Sequence, residues 1–162
     1  MIKIRRNVFE TNSSSTHSIT FSANTNVPEP NILPIDSDGY IHIKLGEFGW
    51  EEASYSDQYN KLSYLITMCA ELNGIDFWCI TATKFDESVA ELYDCDEFQL
   101  ISDVIAQYAG CEGIKVDQCE GYIDHQSYED YSSIPDFLAS NDTDIIDFVY
   151  GKVIVNTDND NH

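Results

Sequence analysis

The stretch SDQYNKLSYLITMCAELNG, residues 56–74, carries the clearest helical signal in the chain. Its apolar side chains recur at helical spacing, at Leu62, Leu65, Ile66, Cys69 and Leu72. Ser56 or Asp57 can cap the amino end, and Asn73–Gly74 can end the helix with a left-handed residue. The pattern predicts an amphipathic helix, so the rest of the chain must supply a surface on which its apolar face packs.

On the amino-terminal side of this helix, the sequence alternates as strands do. Residues 2–11 and 17–22 predict two strands joined by the polar loop 12–15, which together make an amino-terminal β-hairpin. Residues 23–39 contain three prolines and predict an irregular excursion. Residues 40–45 alternate again and predict a further strand.

On the carboxyl-terminal side, helices and strands follow one another without regular alternation. The apolar run 77–82 has the length of a strand, and a buried helical turn is the alternative because periodicity does not distinguish the two. Residues 86–108 predict two helices, because Asp96 and Gln99 resemble a capping box that starts a second helix.

The last third of the chain completes the predicted fold. Residues 113–116 and 122–125 predict a second hairpin with its turn at 119–121. Residues 135–150 begin with a proline that suits a first helical turn, and they predict one broken or two short helices before a last strand at 152–155. The fold class that follows is α+β: a mainly antiparallel sheet with an amino-terminal β-hairpin and three to five helices in one compact domain.

The charge of the chain is large and uneven. Its 162 residues include 8 Lys and Arg against 29 Asp and Glu, a net charge of −21 with histidine neutral. Residues 1–44 sum to zero, so the whole excess lies beyond them, where 25 acids face four lysines. We expect a single domain over 1–156, with a charge-neutral hairpin and loop region at 1–44, an acidic part at 45–156 and a polar tail at 157–162.

This charge excludes several function classes. Binding of DNA or RNA through the phosphates needs a basic surface, and an anionic membrane surface would repel the chain. No apolar run approaches the ~20 residues that span a bilayer, and residues 1–10 lack the apolar stretch of a secretory signal. The sequence therefore predicts a soluble, cytoplasmic protein with a protein partner, without direct nucleic-acid or membrane binding.

The acidic excess itself has several interpretations. It is a solvated surface, a binding site for a metal or a cationic substrate, or a surface that imitates nucleic acid and occupies the basic groove of a nucleic-acid-processing enzyme. Helical spacing places three acids on one stripe, and further acids follow the stripe or lie between tyrosines. The candidate partner-binding residues are Glu87, Glu91, Asp94, Asp96, Glu97, Glu129 and Asp130.

Hydroxyls and imidazoles concentrate in two places, the loop around 11–18 and the strand end at 124–127. If the two hairpins meet, these side chains form a polar pocket that can supply a nucleophile, a base or a phosphate-binding site. The structural alternative is that the loop residues only make local hydrogen bonds to the backbone. The pocket residues are Asn12, Ser13, Ser14, Ser15, His17, Asp124 and His125.

The five cysteines, in a chain without a secretory signal, predict reduced thiols, and their odd number rules out complete internal pairing. Cys69 and Cys79 fall in apolar segments and fit a core. Two further cysteines flank the predicted second hairpin, where zinc is one interpretation because thiolate and imidazole are its usual ligands. The ligand set would be Cys111, Cys119, His125 and His17, with a spacing that matches no zinc-finger pattern.

Four short motifs extend from one end of the chain to the other: FETNSSSTHS at 9–18, FGWE at 48–51, IDHQS at 123–127 and TDNDN at 157–161. Taken together, they resemble a family of small proteins from bacteriophages and prophages of Firmicutes. Small acidic phage proteins include anti-restriction proteins and anti-CRISPR proteins that block Cas nucleases. The resemblance implies an acidic anti-defence inhibitor and supplies no catalytic residue.

The sequence thus favours a phage-encoded inhibitor over an enzyme. Its most specific form is an anti-CRISPR protein that binds a Cas nuclease, Cas9 above all, in the cytoplasm of the infected bacterial host and hinders nucleic-acid loading. The alternative is a phosphodiesterase or RNase-like enzyme that uses the serine-rich loop with His17 and His125. An inert acidic virion protein is a third hypothesis.

Overall fold

The chain has the α+β architecture that the sequence predicts. The computed structural model of the protein describes residues 4–5, 15–21, 27–49, 52–78, 80–124 and 127–159. Within these ranges the helices are α1 (Gln58–Leu72), α2 (Ala82–Asp94), α3 (Asp96–Ala109), α4 (Ile134–Ser140) and α5 (Ile145–Tyr150). The strands are β1 (Ile4–Arg5), β2 (Ser15–Phe21), β3 (Tyr40–Ile43), β4 (Glu47–Phe48), β5 (Ala53–Tyr55), β6 (Gly113–Val116), β7 (Tyr122–Ile123) and β8 (Val153–Asn159).

Helix α1 has the ends that the sequence predicts. The Asp57 carboxylate accepts a hydrogen bond from the Asn60 N–H at 2.9 Å and caps the amino end. Gly74, with φ +69°, follows the carboxyl end. Every residue from Lys61 to Ala70 is buried, so α1 is enclosed on all sides and not only along one apolar face.

The hydrophobic core is built around α1. This helix contacts α3, α4, α5, β3 and β7, so elements from both halves of the chain pack against it. Aromatic rings fill the space on one side of the helix: Tyr64 lies 5.0 Å from Phe48 and 6.3 Å from Phe148, measured between ring centroids. None of the helices in the described ranges is long and apolar enough to cross a membrane.

Strand orientation is mixed, which corrects the expectation of a mainly antiparallel sheet. The largest sheet, ordered β1–β2–β8–β5, is antiparallel throughout. Its β1–β2 pair, with Ile4 opposite Thr20, is the predicted amino-terminal hairpin. The pairs β3–β6 and β4–β7 are parallel. Period-two alternation identifies a strand but says nothing about its partner, so the parallel pairs were not predicted.

The second hairpin predicted between residues 113 and 125 is wrong. β6 pairs with β3 and β7 pairs with β4, so β6 and β7 are not partners. Gly121 is not needed for a hairpin turn. It forms a bridge with Phe77, and a Cβ atom at this position would collide with the Leu45 side chain.

The outer edge of β6 is closed by side chains instead of another strand. The Ile114 N–H donates to Ser102 Oγ at 3.1 Å, and the Val116 N–H donates to Tyr93 Oη at 2.8 Å. Both hydroxyls come from the helices that pack beside the strand. They accept hydrogen bonds from backbone N–H groups that would otherwise be available to pair with a strand of another chain.

The described residues of the apolar run at 77–82 do not form a strand. Of them, only Phe77 takes part in a β-bridge, and α2 already begins at Ala82. Thr81 starts the helix early, because its Oγ1 accepts a hydrogen bond from the Lys84 N–H at 3.4 Å. Cys79, placed in the core by the sequence, lies outside the described residues.

The predicted division of 86–108 into two helices is confirmed, but its cause differs from the predicted capping box. The break falls at Cys95, whose extended backbone (φ −74°, ψ 125°) separates α2 from α3 without a side-chain cap. Asp96 is the first residue of α3, and the Gln99 amide donates to the Tyr93 carbonyl at 3.0 Å.

The carboxyl-terminal region contains the two short helices predicted for 135–150. Pro135 lies in the first turn of α4. β8 is longer than the predicted strand 152–155 and continues to Asn159 between β2 and β5. The predicted polar tail at 157–162 therefore begins inside a strand, and Thr157 is buried.

Replacement of a core leucine of α1 should destabilise the protein far more than the same replacement at the surface. Leu65 is fully buried, whereas Leu100 on α3 is 43% exposed. We expect Leu65→Ala to lower the free energy of unfolding by about 2–5 kcal/mol and Leu100→Ala to change it by less than about 0.5 kcal/mol. Urea denaturation followed by circular dichroism measures both, and equal losses would contradict the placement of α1 at the centre.

Candidate functional site

Four exposed acids at helical spacing make up what we call the acidic face: Glu87, Glu91 and Asp94 of α2 and, at the start of α3, Asp96. Phe85 and Leu92 turn into the core, so the acids of α2 are left on the solvent side. In the described part of the chain, none of the four carboxylates forms an ion pair; both ion pairs recorded there involve His42.

Glu97 differs from the other predicted partner-binding acids. Its side chain is half-buried, and its Oε2 accepts a hydrogen bond from the Ile134 N–H at 2.6 Å. The carboxylate therefore satisfies a backbone donor at the first turn of α4. This contact gives Glu97 a structural role in joining α3 to α4.

Glu129 and Asp130 are exposed, as predicted, but the tyrosines on either side of them are not displayed with them. The Tyr131 ring packs edge-on against Phe137, with centroids 5.1 Å apart. The Tyr128 hydroxyl donates to a Glu71 carboxylate oxygen at 3.4 Å. Both tyrosines are therefore tied to the core region.

The predicted polar pocket falls largely outside the described residues, to which Asn12, Ser13, Ser14 and His125 do not belong. Ser15, predicted in the hairpin loop, is the first residue of β2, and His17 is paired with Thr157 of β8. Asp124 follows β7, and its N–H donates to the Phe48 carbonyl at 3.0 Å. Convergence of these side chains stays a prediction.

The two cysteines of the predicted zinc site lie at opposite ends of β6. The Cys119 sulfur accepts a hydrogen bond from the Leu45 N–H at 3.2 Å, whereas Cys111 contacts the Gly113 carbonyl. Within the described ranges, no group of three or more His, Cys, Asp or Glu side chains has the arrangement of a metal site. His125 and the His17 side chain are not described, so zinc stays a prediction that elemental analysis of the purified protein tests.

The described cysteines agree with the expectation of reduced thiols. Cys69, Cys95, Cys111 and Cys119 are all free. Cys69 is fully buried in the core, as predicted, and burial raises the pKa of its thiol far above the usual range. A thiol held protonated in this way is a poor nucleophile and a poor metal ligand.

A group that sequence reasoning missed joins three separate segments through one imidazole. The His42 Nδ1 lies 2.7 Å from Asp117 Oδ1, and the His42 Nε2 lies 2.6 Å from Asp36 Oδ2. We call this group the His42 clasp. Because both ring nitrogens are occupied by carboxylates, the imidazole is not available as a general base. The alternation of residues 40–45 indicates an exposed His42 in β3. Its contact with Asp117 could not be predicted, because the two residues are 75 positions apart in the chain.

The clasp changes the acid–base properties of its members. The hydrogen bond to Asp117, followed by that to Asp36, raises the pKa of His42 above 6.5. The Tyr40 N–H, followed by His42, lowers the pKa of Asp36 from 3.8 to about 2. Both shifts favour the charged forms of His42 and Asp36.

The lysines in the described ranges do little to neutralise the acidic face. Lys115 lies over the Tyr40 ring at 3.9 Å from its centroid, on the β3–β6 pair. Lys61 is buried in α1, where its Nζ donates to the Gly151 carbonyl at 2.7 Å. Burial lowers the pKa of this ammonium group. Lys84 is exposed on α2 three residues before Glu87, but it forms no ion pair with the acidic face in the described ranges.

Comparison of the chain with protein-family models, with curated proteins and with solved structures finds no match in any of the three. The resemblance to phage proteins stays an expectation from the motifs. Inference about function must therefore start from the geometry and charge of the surfaces described above.

The His42 clasp should give a titration that depends on one distant carboxylate. We expect NMR titration of the His42 ring to show a pKa above 6.5, and Asp117→Asn to return that pKa toward 6.5. Since the folded pKa is raised, the contribution of His42 to stability is complete below pH 6.5 and is lost as pH rises through the folded pKa. The contribution of Asp36 is complete above pH 3.8 and is lost as pH falls toward about 2.

Asp38 supplies the matched control for this titration. It lies two residues from Asp36, is exposed, and contacts the clasp only through its backbone N–H. Asp38→Asn should leave the pKa of His42 unchanged. An unshifted wild-type pKa, or an equal fall in both variants, would show that the clasp does not exist in solution.

Proposed function

We propose that this protein is a phage-encoded anti-defence inhibitor that binds a Cas nuclease, most specifically Cas9, through its acidic face and hinders nucleic-acid loading. The observation that carries the proposal is the row of exposed carboxylates on α2 and at the start of α3, none of them in an ion pair within the described ranges. The source and the inhibitor class come from the motif resemblance. The site of action is then the cytoplasm of the infected host.

The spacing of the carboxylates suits imitation of a nucleic-acid backbone. Glu87, Glu91 and Asp94 are four and three residues apart, so their Cα atoms advance by about 6 Å and about 4.5 Å along the helix axis. The phosphates of one DNA strand advance by ~3.4 Å each. A helix with this stripe therefore presents negative charges at intervals of the same order as a strand does.

A guide-binding channel is a suitable target for such a surface. Cas9 holds its heteroduplex through backbone shape and positive charge and leaves sequence reading to base pairing. An acidic protein can compete there without reading any base. Opposite charges also accelerate association and make it dependent on salt, so competition is effective before the nucleic acid is loaded.

The alternative enzyme hypothesis has no support of this kind. A phosphodiesterase or RNase-like site needs the serine-rich loop, His17 and His125 in one pocket, and the described residues include only part of that set. It stays a prediction. His17→Ala tests it, since it should abolish activity in the enzyme and leave nuclease binding unchanged in the inhibitor.

Neutralising the acidic face should weaken binding to the nuclease. We expect the wild-type protein to bind guide-free Cas9 at low salt, with an affinity that falls as salt rises. The triple variant Glu87→Gln, Glu91→Gln, Asp94→Asn should bind roughly tenfold more weakly, because three exposed charge pairs at ~0.5 kcal/mol each are lost. Biolayer interferometry over a salt series measures both, and guide-RNA loading assays report the inhibition.

The control variant removes the same number of negative charges from a different part of the surface. Asp38, Glu52 and Glu112 are exposed and lie outside the acidic face, so the variant Asp38→Asn, Glu52→Gln, Glu112→Gln should retain nearly full affinity. Equal weakening in the two triple variants would mean that only net charge matters. Absence of any complex at low salt across a panel of Cas9 proteins would contradict the proposal.

A further inference from the structure

An exposed tryptophan in the loop between α1 and α2 packs against a half-buried tyrosine of β7. Trp78 is 44% exposed, and its ring centroid is 5.5 Å from that of Tyr122 with an interplanar angle of 59°. The bridge between Phe77 and Gly121 sets this arrangement, because it fixes the loop beside β7. Phe77 is buried while Trp78 next to it points outward, so the core holds the tryptophan at the surface.

Carboxylates flank the two rings. Glu47 is paired in register with Tyr122, and both side chains point outward because their neighbours Phe48 and Ile123 are buried. Asp76 is exposed two residues before Trp78, and its Oδ1 accepts a hydrogen bond from the backbone N–H of Trp78 at 2.8 Å. We call Trp78, Tyr122, Glu47 and Asp76 the aromatic corner.

The aromatic corner adjoins the acidic face. The Ser88 Oγ of α2 donates to the Asp76 carbonyl at 3.0 Å, so the loop is tied to the helix that carries the acidic stripe. Glu91 follows Ser88 by three residues and is therefore its neighbour on the helix surface. A partner that covers the acidic face is within reach of Trp78.

We propose that the aromatic corner is the anchor of the docking surface and takes an arginine side chain from a basic protein partner, an inference that rests on the proposed function. A guanidinium group stacks flat on an aromatic ring while its N–H groups donate hydrogen bonds to carboxylates at the edge of the ring. Trp78 offers the ring, and Glu47 and Asp76 offer the carboxylates. Lysine fits less well, since its ammonium is compact and strongly hydrated. Tryptophan is also a residue type in which binding energy concentrates.

Nucleic acid is the competing occupant, because bases also stack on exposed aromatic rings. The charge of the site argues against it. Glu47 and Asp76 would face the phosphates of any strand that brought a base onto Trp78, and the adjoining acidic face adds to the repulsion. The same carboxylates attract a guanidinium group, so charge complementarity selects the protein partner.

The test uses the full-length protein with three fluorescein-labelled probes: nona-arginine, nona-lysine and a thymidine 12-mer. Fluorescence anisotropy near physiological salt gives the affinities. We expect the wild-type protein to bind nona-arginine about tenfold more tightly than nona-lysine and not to bind the oligonucleotide. The indole N–H resonance of Trp78, assigned with the Trp78→Phe variant, should shift on addition of nona-arginine.

Two substitutions separate stacking from apolar contact and from folding. Trp78→Ala removes the ring, and Trp78→Leu keeps apolar bulk without a π-face, so both should abolish the preference for arginine over lysine. Leu100→Ala, at a side chain of nearly equal exposure on α3, should keep that preference. Trp78 is exposed, and circular dichroism melting curves should therefore change little.

The outcomes distinguish this inference from the proposed function. An arginine preference that survives in Trp78→Ala and Trp78→Leu, or binding of the oligonucleotide at the corner, would overturn the anchor. If the α2 triple variant still weakened Cas9 binding in that case, the proposed function would stand without it. Loss of Cas9 binding in Trp78→Leu, but not in Leu100→Ala, would support both together.

Discussion

Burial of α1 on every side is the constraint on which the rest of the structure depends. A helix enclosed in this way must find partners for each polar side chain it carries, because an unpaired buried polar group costs about 1–3 kcal/mol. The buried side chains of Gln58, Lys61, Ser63 and Thr67 bind the backbone of surrounding segments. The partners are Pro30 O and Ile32 N for Gln58, Lys44 O for Ser63, Gly46 N for Thr67 and Gly151 O for Lys61.

These contacts explain how the short parallel strand pairs of this protein are held together. The parallel pairs have only four and two residues per strand, and two-residue strands are weak by themselves. Hydrogen bonds from α1 hold the segment between β3 and β4 from one side, while the His42 clasp ties Asp36 and Asp117 across the β3–β6 pair from the other. Self-repulsion among the acids opposes compactness, and this buried framework offsets it.

The sequence predicted what local physics determines and missed what tertiary contacts determine. The ends of α1 follow from capping residues and the exposure of the acidic stripe follows from the helical period, both of which act over a few residues. The division of 86–108 into two helices was also predicted, but from a capping box that the structure does not contain. The parallel pairing of β6 with β3 depends on helices that intervene in the chain. The outward position of Trp78 depends on a bridge to Gly121, 44 residues from Phe77, and an apolar run such as 77–82 contains no sign of it.

Charge and aromatic surface have different roles in the proposed complex. Exposed carboxylates act at a distance, so the acidic face governs how fast a basic partner arrives and how strongly salt interferes. They hold the partner weakly, because each exposed pair contributes little once water and ions compete. A stacked ring excludes water from the contact and acts on the rate of dissociation. An inhibitor that must outlast competition from nucleic acid needs both, and α2 with the loop before it places the two surfaces side by side.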